Sequence, residues 1–354
     1  MKKMILIGIV FVRLTASAQQ DSSHSLTISG YVETYYSFDF DHPSNHQKPG
    51  FLYSYNRHNE VNINLAFLKA NFQKENIRAN LAIGAGTYMN ANLSSEPGVL
   101  KNIFEANAGV RLSRKKSIWL DAGIFPSHVG FESAIGKDCW TVTRSLLAEN
   151  SPYYEAGAKL TYSSDDDRWL FSVLVLNGWQ RIQRVEGNNT LAFGHQLSFK
   201  PNSKLMLNSS SFVGNDKPDS ARQWRYFHNF YGTFQLSRRA DLVLGFDWGI
   251  EQKSFKSNSY NQWYSPVAIL RTSLGDKSKM AFRAEYYHDP SNVIVSVNNN
   301  GFQTKSFSVN YDYQVSKLFT GRIEGRGFYS KERIFADNRK KNNYSITLAL
   351  AFAF

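Results

Sequence analysis

The last stretch of the chain decides the fold, and it reads Tyr344-Ser345-Ile346-Thr347-Leu348-Ala349-Leu350-Ala351-Phe352-Ala353-Phe354. Every second residue from Tyr344 is large and apolar, and the residues between are small or polar. Because successive side chains of a strand point to opposite faces, this period of two predicts a β-strand with one apolar face. An unpaired strand of this composition would aggregate in water, so we expect both of its edges to be paired.

The same period of two recurs along the rest of the chain. From Leu26 to Phe40, apolar residues dominate the even positions, while polar residues and tyrosines occupy the odd ones. Two segments are less regular, since the apolar parity switches within 59–72 and both faces are apolar within 168–179. We predict sixteen strands, with fourteen as the alternative, starting near residues 25, 59, 77, 102, 117, 153, 168, 190, 205, 224, 241, 263, 279, 302, 318 and 342.

The connections between these segments alternate in length. Short polar turns lie at residues 73–76, 113–116, 163–167, 201–204, 237–240 and 275–278. Longer segments lie between them, at residues 41–58, 87–101, 126–152, 177–189 and 331–341. Short turns at one rim and long loops at the other are typical of a transmembrane up-and-down barrel. A propeller or a sandwich gives no reason for this alternation.

The N-terminal residues have the features of a secretory signal. Lys2 and Lys3 precede an apolar stretch, and Ala16-Ser17-Ala18 offers a small-residue cleavage site, so we predict a signal peptide over residues 1–18. Arg13 interrupts the apolar stretch, which is shorter than the roughly 20 residues that a transmembrane helix needs. Residues 19–354 are then left for a single barrel domain.

Composition restricts the class of protein further. Aromatic residues make up 15% of the chain, which suits the two aromatic girdles of a membrane barrel. The formal net charge is +12, yet no basic patch or nucleic-acid motif is found, so we expect no nucleic-acid partner. The chain has one cysteine, Cys139, so it forms no intramolecular disulfide, and we interpret this residue as a small apolar side chain in a loop.

Together these features predict an all-β, transmembrane, antiparallel up-and-down barrel in the outer membrane of a Gram-negative bacterium. Phe354, at the end of the last strand, resembles the signal that outer-membrane barrels present to their insertion machinery. The expected partners are outer-membrane lipids, that machinery, and small solutes or ions. Assembly into a homo-oligomer stays open at this point.

Several stretches also resemble the β-barrel porins called OmpL-like, which are common in Bacteroidetes and related bacteria. They are Asn62–Leu68, Gly123–Glu132 and Thr143–Leu147, followed by Pro152 and Gly157. The resemblance covers essentially the whole mature chain and is sharpest from 121 to 162. It implies an outer-membrane pore, often without a defined substrate, and no catalytic residue.

The inward face of a large barrel lines water, so ionisable residues there are candidates for setting selectivity. Parity along the strands gives the predicted pore-lining set Glu33, Asp39, Arg78, Glu105, Arg111, Asp121, Glu155, Lys159, Arg225, Asp247, Arg283, Glu285, Arg322, Glu324 and Arg326. The densest group spans Arg322–Arg326. Its charges either select ions or neutralise one another and only keep the lumen wet.

The segment Pro126–Pro152 is too long for a simple hairpin loop and mixes apolar with charged residues. Because its apolar residues need burial, we expect it to fold into the lumen and narrow it, with an outer cap over the barrel as the alternative. The candidate constriction residues are Glu132, Lys137, Asp138, Arg144 and Glu149.

An enzyme of the phospholipase type is a second hypothesis. Outward parity puts His195 on one strand and Ser209 and Ser211 on the next, and a lipid-facing Ser–His pair is what such an enzyme would need. A local bulge that turns these polar residues inward is the alternative. The other histidines show no paired metal-ligand spacing, so we predict no metal site.

The sequence thus favours a passive, porin-like pore for small hydrophilic solutes or ions, without a cofactor or catalytic residues. The alternatives are the outer-membrane phospholipase and a surface-exposed binding or adhesion barrel with a plugged lumen.

Overall fold

The computed structural model describes residues 25–297 and 300–354, so the predicted signal peptide lies outside the described residues. Sixteen antiparallel strands form one closed barrel in which chain neighbours pair and β1 pairs with β16. They are β1 Leu26–Asp39, β2 Val61–Lys74, β3 Ile77–Ala85, β4 Ile103–Arg111, β5 Ser117–Pro126, β6 Tyr154–Ser163, β7 Trp169–Leu176, β8 Ala192–Asn202, β9 Leu205–Gly214, β10 Arg225–Gln235, β11 Ala240–Gln252, β12 Tyr260–Ser273, β13 Ser278–Asp289, β14 Phe302–Gln314, β15 Phe319–Ser330 and β16 Asn342–Ala353. The prediction of a sixteen-strand barrel is confirmed, and each predicted start lies within three residues of the observed one.

Burial follows the period of two. In β16, Ile346, Leu348 and Leu350 are exposed, whereas Thr347 and Ala349 are buried. The exposed apolar side chains form the outer face of the wall, and the polar or small ones point inward. No helix in the described part of the chain is long and apolar enough to cross a membrane.

A β-bulge explains the parity switch within 59–72. Glu33 pairs with Leu65 and Thr34 with Ile63, so Asn64 is an extra residue in β2. The bulge directs the Asn64 side chain into the barrel, where its Nδ2 donates to Glu33 Oε2 over 2.9 Å.

A second bulge lies between β3 and β4, and an apolar part of the lumen accounts for the irregular segment 168–179. Between β3 and β4 the register shifts at Phe104, which stacks on the inward Phe67. In β7, the inward Leu174 and Leu176 join an apolar cluster inside the barrel, so both faces of this strand are apolar. The irregular period of 168–179 therefore reflects a lumen that is not uniformly wet.

The long loops carry two short helices, α1 Thr87–Asn92 and α2 Leu146–Glu149, and 3₁₀ turns at Gly98–Asn102, Gly136–Asp138 and Asp219–Ala221. Phe51, Val129, Val295 and Phe335 come from four different loops and pack together against inward side chains of the wall, among them Trp263. The loop-side half of the barrel is consequently largely filled by loop residues, apart from a polar cavity of about 590 Å³ that Asp39, Lys48 and Asn343 help to line.

Two paired glycines lie near the end of β5 and the start of β6. Gly123 of β5 faces Gly157 of β6, and their φ angles are 129° and 156°. A Cβ on Gly123 would lie 2.2 Å from the Ala106 carbonyl oxygen of β4. This backbone conformation is essentially restricted to glycine, so both the angle and the close approach require it.

We predict that Gly123→Ala destabilises the barrel by roughly 1–3 kcal/mol, because the new Cβ strains the backbone and meets the β4 carbonyl. A closed barrel should resist SDS until heated, so the readout is the temperature at which the folded band converts to the unfolded band. Gly325→Ala is the matched control, since no atom lies within 4 Å of a Cβ there. Equal conversion temperatures for the two variants would contradict this reading.

Candidate functional site

Residues 127–153 connect β5 to β6 and lie inside the barrel; we refer to them as the inner loop. Its main chain is held by side chains from strands around the wall. The hydrogen bonds are Gly130 N to Asn229 Oδ1 (3.2 Å), Lys137 N to Tyr31 Oη (3.2 Å), Val142 N to Asn310 Oδ1 (3.0 Å) and Leu146 N to Glu285 Oε2 (2.5 Å). The loop thus crosses the lumen instead of capping the barrel from outside.

Three buried arginines of the wall, the arginine cluster, bind main-chain carbonyls of the inner loop. Their Nη1 atoms donate from Arg283 to Thr143 O (2.6 Å), from Arg322 to Gly136 O (2.6 Å) and from Arg326 to Arg144 O (2.9 Å). Between them, Glu324 Oε2 accepts the Thr143 main-chain N–H at 2.5 Å. Buried carbonyls need partners, and these side chains supply them where strand pairing is impossible.

Each of these arginines is also paired with a carboxylate. Arg283 contacts Glu324 at 2.8 Å, and Arg326 contacts Glu285 at 2.7 Å. Arg322 contacts Asp312 at 2.7 Å. The arginine side chains are at most 2% exposed, so this network is dehydrated and neutralised pair by pair. Of the two hypotheses for Arg322–Arg326, mutual neutralisation matches the contacts.

Charged residues of the inner loop mostly hold the loop itself. The Arg144 guanidinium donates to the carbonyls of Ser133, Ala134 and Val142, and Glu132 accepts from Ser145. Burial raises the pKa of Glu132.

The remaining candidates of the inner loop differ in exposure. Glu149 accepts the Tyr53 N–H at 2.9 Å, and burial raises the pKa of this carboxyl to about 7. Lys137 and Asp138 pair with each other at 2.9 Å and are nearly half exposed. These two are therefore the charges of the loop that face water.

Several inward candidates lie beside the inner loop or closer to the long loops. The contacts are Glu33 with Asn64, Asp39 with Asn343, Arg225 with Glu251 and Asp216, and Asp247 with Asn229. Glu155 is fully buried, and neither of its carboxylate oxygens has a hydrogen-bond partner among the described residues.

A polar cavity of about 390 Å³ lies on the short-turn side of the inner loop; we call it the vestibule. Its lining includes the predicted residues Arg78, Glu105, Asp121 and Lys159. Arg78 Nε donates to Asp121 Oδ1 at 2.6 Å, and Lys69 pairs with Glu105. Arg111, at the end of β4, lies closer to the short turns, and its Nε donates to the main-chain oxygen of Lys116 in the turn between β4 and β5.

A second cavity of about 270 Å³ continues under the inner loop. It shares Glu105 and Pro126 with the vestibule and is bordered by Phe131 and Tyr231. The two cavities form the polar and aromatic space that the inner loop leaves in the lumen.

The outer face carries the Ser–His group of the enzyme hypothesis. His195 Nδ1 and Ser211 Oγ share a hydrogen bond of 2.5 Å, and Ser209 Oγ lies 2.9 Å from His228 Nε2. Within the described ranges neither histidine contacts a carboxylate, and strand pairing occupies the neighbouring main-chain groups. The group therefore lacks the orienting acid and free N–H donors that hydrolases use.

Sequence reasoning missed Lys48, which is buried and donates to Ser37 Oγ at 3.2 Å. Burial lowers the pKa of this lysine to about 8. Strand parity does not reach a residue in the segment 41–58. The apolar residues Phe51 and Leu52 follow Lys48 closely in this loop. They could have indicated that the loop is buried, as the apolar residues of 126–152 did for the inner loop.

In residues 25–297 and 300–354, no three His, Cys, Asp or Glu side chains are arranged to hold a metal ion.

A family model described as "Putative beta-barrel porin-2, OmpL-like" matches residues 25–354. The chain belongs to this porin family. The resemblance noted from the sequence is thereby confirmed. No curated protein matches the chain.

Solved structures share the fold of this porin at low sequence identity. OmpT, an outer membrane protein of Vibrio cholerae, has a TM-score of 0.60 at 10% identity, covering 93% of this chain and 97% of its own. The anion-selective porin from Comamonas acidovorans has a TM-score of 0.61 at 8% identity, and the match covers 93% of this chain and 99% of that porin. The outer membrane channel DcaP of Acinetobacter baumannii has a TM-score of 0.60 at 10% identity, and the match covers 93% of this chain and 97% of DcaP.

We predict that the double variant Arg322→Gln/Arg326→Gln loosens the inner loop of the folded porin. Removing one partner of a buried ion pair costs about 3–5 kcal/mol, and here the loop carbonyls lose their donors too. Trypsin should then cut the loop after Lys137 or Arg144, its two cleavage sites, as seen by fragment masses.

The matched control is Arg111→Gln, since Arg111 faces inward without touching the inner loop. If trypsin cuts the inner loop of the double variant no faster than that of the control, the arginine cluster does not hold the loop.

Proposed function

We propose that this porin is a passive channel for small hydrophilic solutes or ions in the outer membrane of a Gram-negative bacterium. The observation that carries the proposal is the inner loop, which crosses a closed barrel and leaves a vestibule lined by charged and amide side chains. A polar, water-accessible lumen inside an apolar outer face is the arrangement by which barrels conduct. The inward charges of the vestibule are the proposed pore-lining residues.

The filled loop-side half indicates that the path is narrow. Apolar side chains from several loops meet inside the barrel, and the inner loop is fixed by buried ion pairs. We therefore expect passage of small solutes and a low conductance. Transport down a gradient needs no cofactor, and we assign none.

Export and membrane insertion complete the proposal. Residues 1–18 would direct the chain through the inner membrane and be removed, and residues 19–354 would form the barrel. Lipids contact the exposed apolar face of the wall. Phe354 exchanges main-chain hydrogen bonds with Gly30 of β1, so the residue proposed as the insertion signal also extends the seam that closes the barrel. A solved structure of OmpT is described as a trimer form, and a homo-oligomer is the proposed state here.

Two alternatives have an observation in their favour. The filled loop-side half favours a binding or adhesion barrel with a plugged lumen. The contact between His195 and Ser211 on the outer face favours a phospholipase, although no carboxylate orients either histidine among the residues described. We rank both below the channel because the vestibule is polar and opens beside the short turns.

We predict that the refolded porin produces ohmic single-channel currents in planar bilayers, because the lumen is polar along the vestibule. Boiled protein, which has lost the barrel, is the control and should give none.

If the folded protein carries no current, the channel function is rejected. Hydrolysis of phospholipid vesicles that Ser211→Ala abolishes would then establish the enzyme, whereas a silent and inactive barrel would leave the binding role.

A further inference from the structure

The vestibule lies between the inner loop and the rim of short turns, and β2 to β6 form one of its walls. Gln73 and Arg78, on either side of the turn between β2 and β3, border it. Lys159 of β6 lines the deeper part, close to Phe125 at the end of β5. A solute that enters through the short-turn rim meets this wall before it reaches the inner loop.

Both carboxylates of this wall are already occupied. Asp121 accepts two hydrogen bonds from the Arg78 guanidinium, from Nε and from Nη2. Glu105 is ion-paired with Lys69 and also accepts from Asn107 Nδ2 at 3.0 Å.

Three asparagines form a hydrogen-bond ladder that ends on Glu105. Asn71 Nδ2 donates to Asn80 Oδ1 at 2.5 Å, and Asn80 Nδ2 donates to Asn107 Oδ1 at 2.9 Å. Asn107 in turn donates to Glu105, so the amide ladder runs toward the carboxylate. All three asparagines line the cavity and add no charge to it.

Lys159 is the cation left without a counterion. It pairs in register with Asp121, yet Arg78 holds that carboxylate, and Lys159 forms no ion pair within the described residues. Its Nζ lies 4.6 Å from the centre of the Phe125 ring, a cation–π contact that positions the ammonium without neutralising it. The charged residues that line the vestibule are Arg78, Lys159, Glu105 and Asp121, and Lys69 reaches Glu105 from the neighbouring cavity. These three cations and two carboxylates leave one net positive charge.

We propose that the vestibule is an anion-binding site, centred on Lys159, for small solutes that carry a carboxylate. This rests on the proposed channel and names the class of solute that it favours. The ammonium attracts the carboxylate, and the amide and guanidinium groups beside it offer further N–H donors. Both carboxylates that line the vestibule, Glu105 and Asp121, are already ion-paired.

The size of the effect follows from Coulomb's law. One unit charge at about 5 Å in water changes the local concentration of a monovalent ion roughly fourfold. Screening shortens this reach to about 3 Å in molar salt, so the preference should be strong in dilute electrolyte and fade in concentrated salt.

The test is the reversal potential of single channels in a KCl gradient at low ionic strength, with citrate block of the current as a second readout. Wild-type protein should prefer chloride, and Lys159→Glu should favour potassium. Lys159→Gln should lower the anion-to-cation permeability ratio by up to about sixteenfold, because the charge changes the anion and the cation concentration fourfold each, in opposite directions. Citrate should reduce the wild-type current more than an equal concentration of glucose, and Lys159→Gln should remove this difference.

Lys305→Gln is the matched control, because Lys305 is an exposed lysine on the outer face of β14 and should leave both readouts unchanged. The SDS-resistant band verifies that each variant is folded. If currents flow but Lys159→Gln behaves like Lys305→Gln, or if the wild-type channel prefers potassium, the anion site is wrong and the channel stands. If folded wild-type protein carries no current, the proposed function itself fails.

Discussion

The architecture depends on how the inner loop satisfies its main chain inside the barrel. A strand finds its hydrogen bonds in the ladder, but a loop that crosses the lumen has left the ladder, and unpaired buried carbonyls cost free energy. The arginine cluster supplies the missing donors, and Glu324 and Glu285 accept loop N–H groups. Each arginine is paired with a carboxylate, so the loop is held without a net charge in a dehydrated region. A lone arginine there would be strongly unfavourable.

This requirement divides the inward charges into two groups with different consequences. The arginine cluster and its carboxylate partners are buried and paired, so they hold the inner loop and exert only a weak electric field on a passing ion. Charges of the vestibule face water, and one of them, Lys159, has no counterion there. Selectivity is therefore expected from the less densely charged part of the lumen, and Arg322–Arg326, the densest cluster in the sequence, serves to position the loop.

Much of the fold could be predicted because strand pairing is periodic and local. The period of two located all sixteen strands, and loop lengths distinguished the two rims. The parity switch within 59–72 arises because the bulge at Asn64 adds one residue to β2 and reverses the face of the residues beyond it. The candidate site was less predictable. Parity shows that Arg326 points inward, but its partners Glu285 and Arg144 are distant in sequence, and only the folded barrel brings them together. Lys48 was missed because it lies in a loop, where no strand alternation shows which side chains point inward.

The most direct test of a packed inner loop uses the single cysteine of the chain, Cys139, which lies in that loop. Cys139 is 6% exposed, Arg322 donates to its main-chain carbonyl, and burial raises the pKa of its thiol to about 11. Labelling of folded protein with a maleimide, followed by mass spectrometry, reports on this residue alone. The account predicts protection in the folded barrel and complete labelling after heat denaturation. Rapid labelling of folded protein would contradict it, because the loop would then be free in solvent and the arginine cluster would hold nothing.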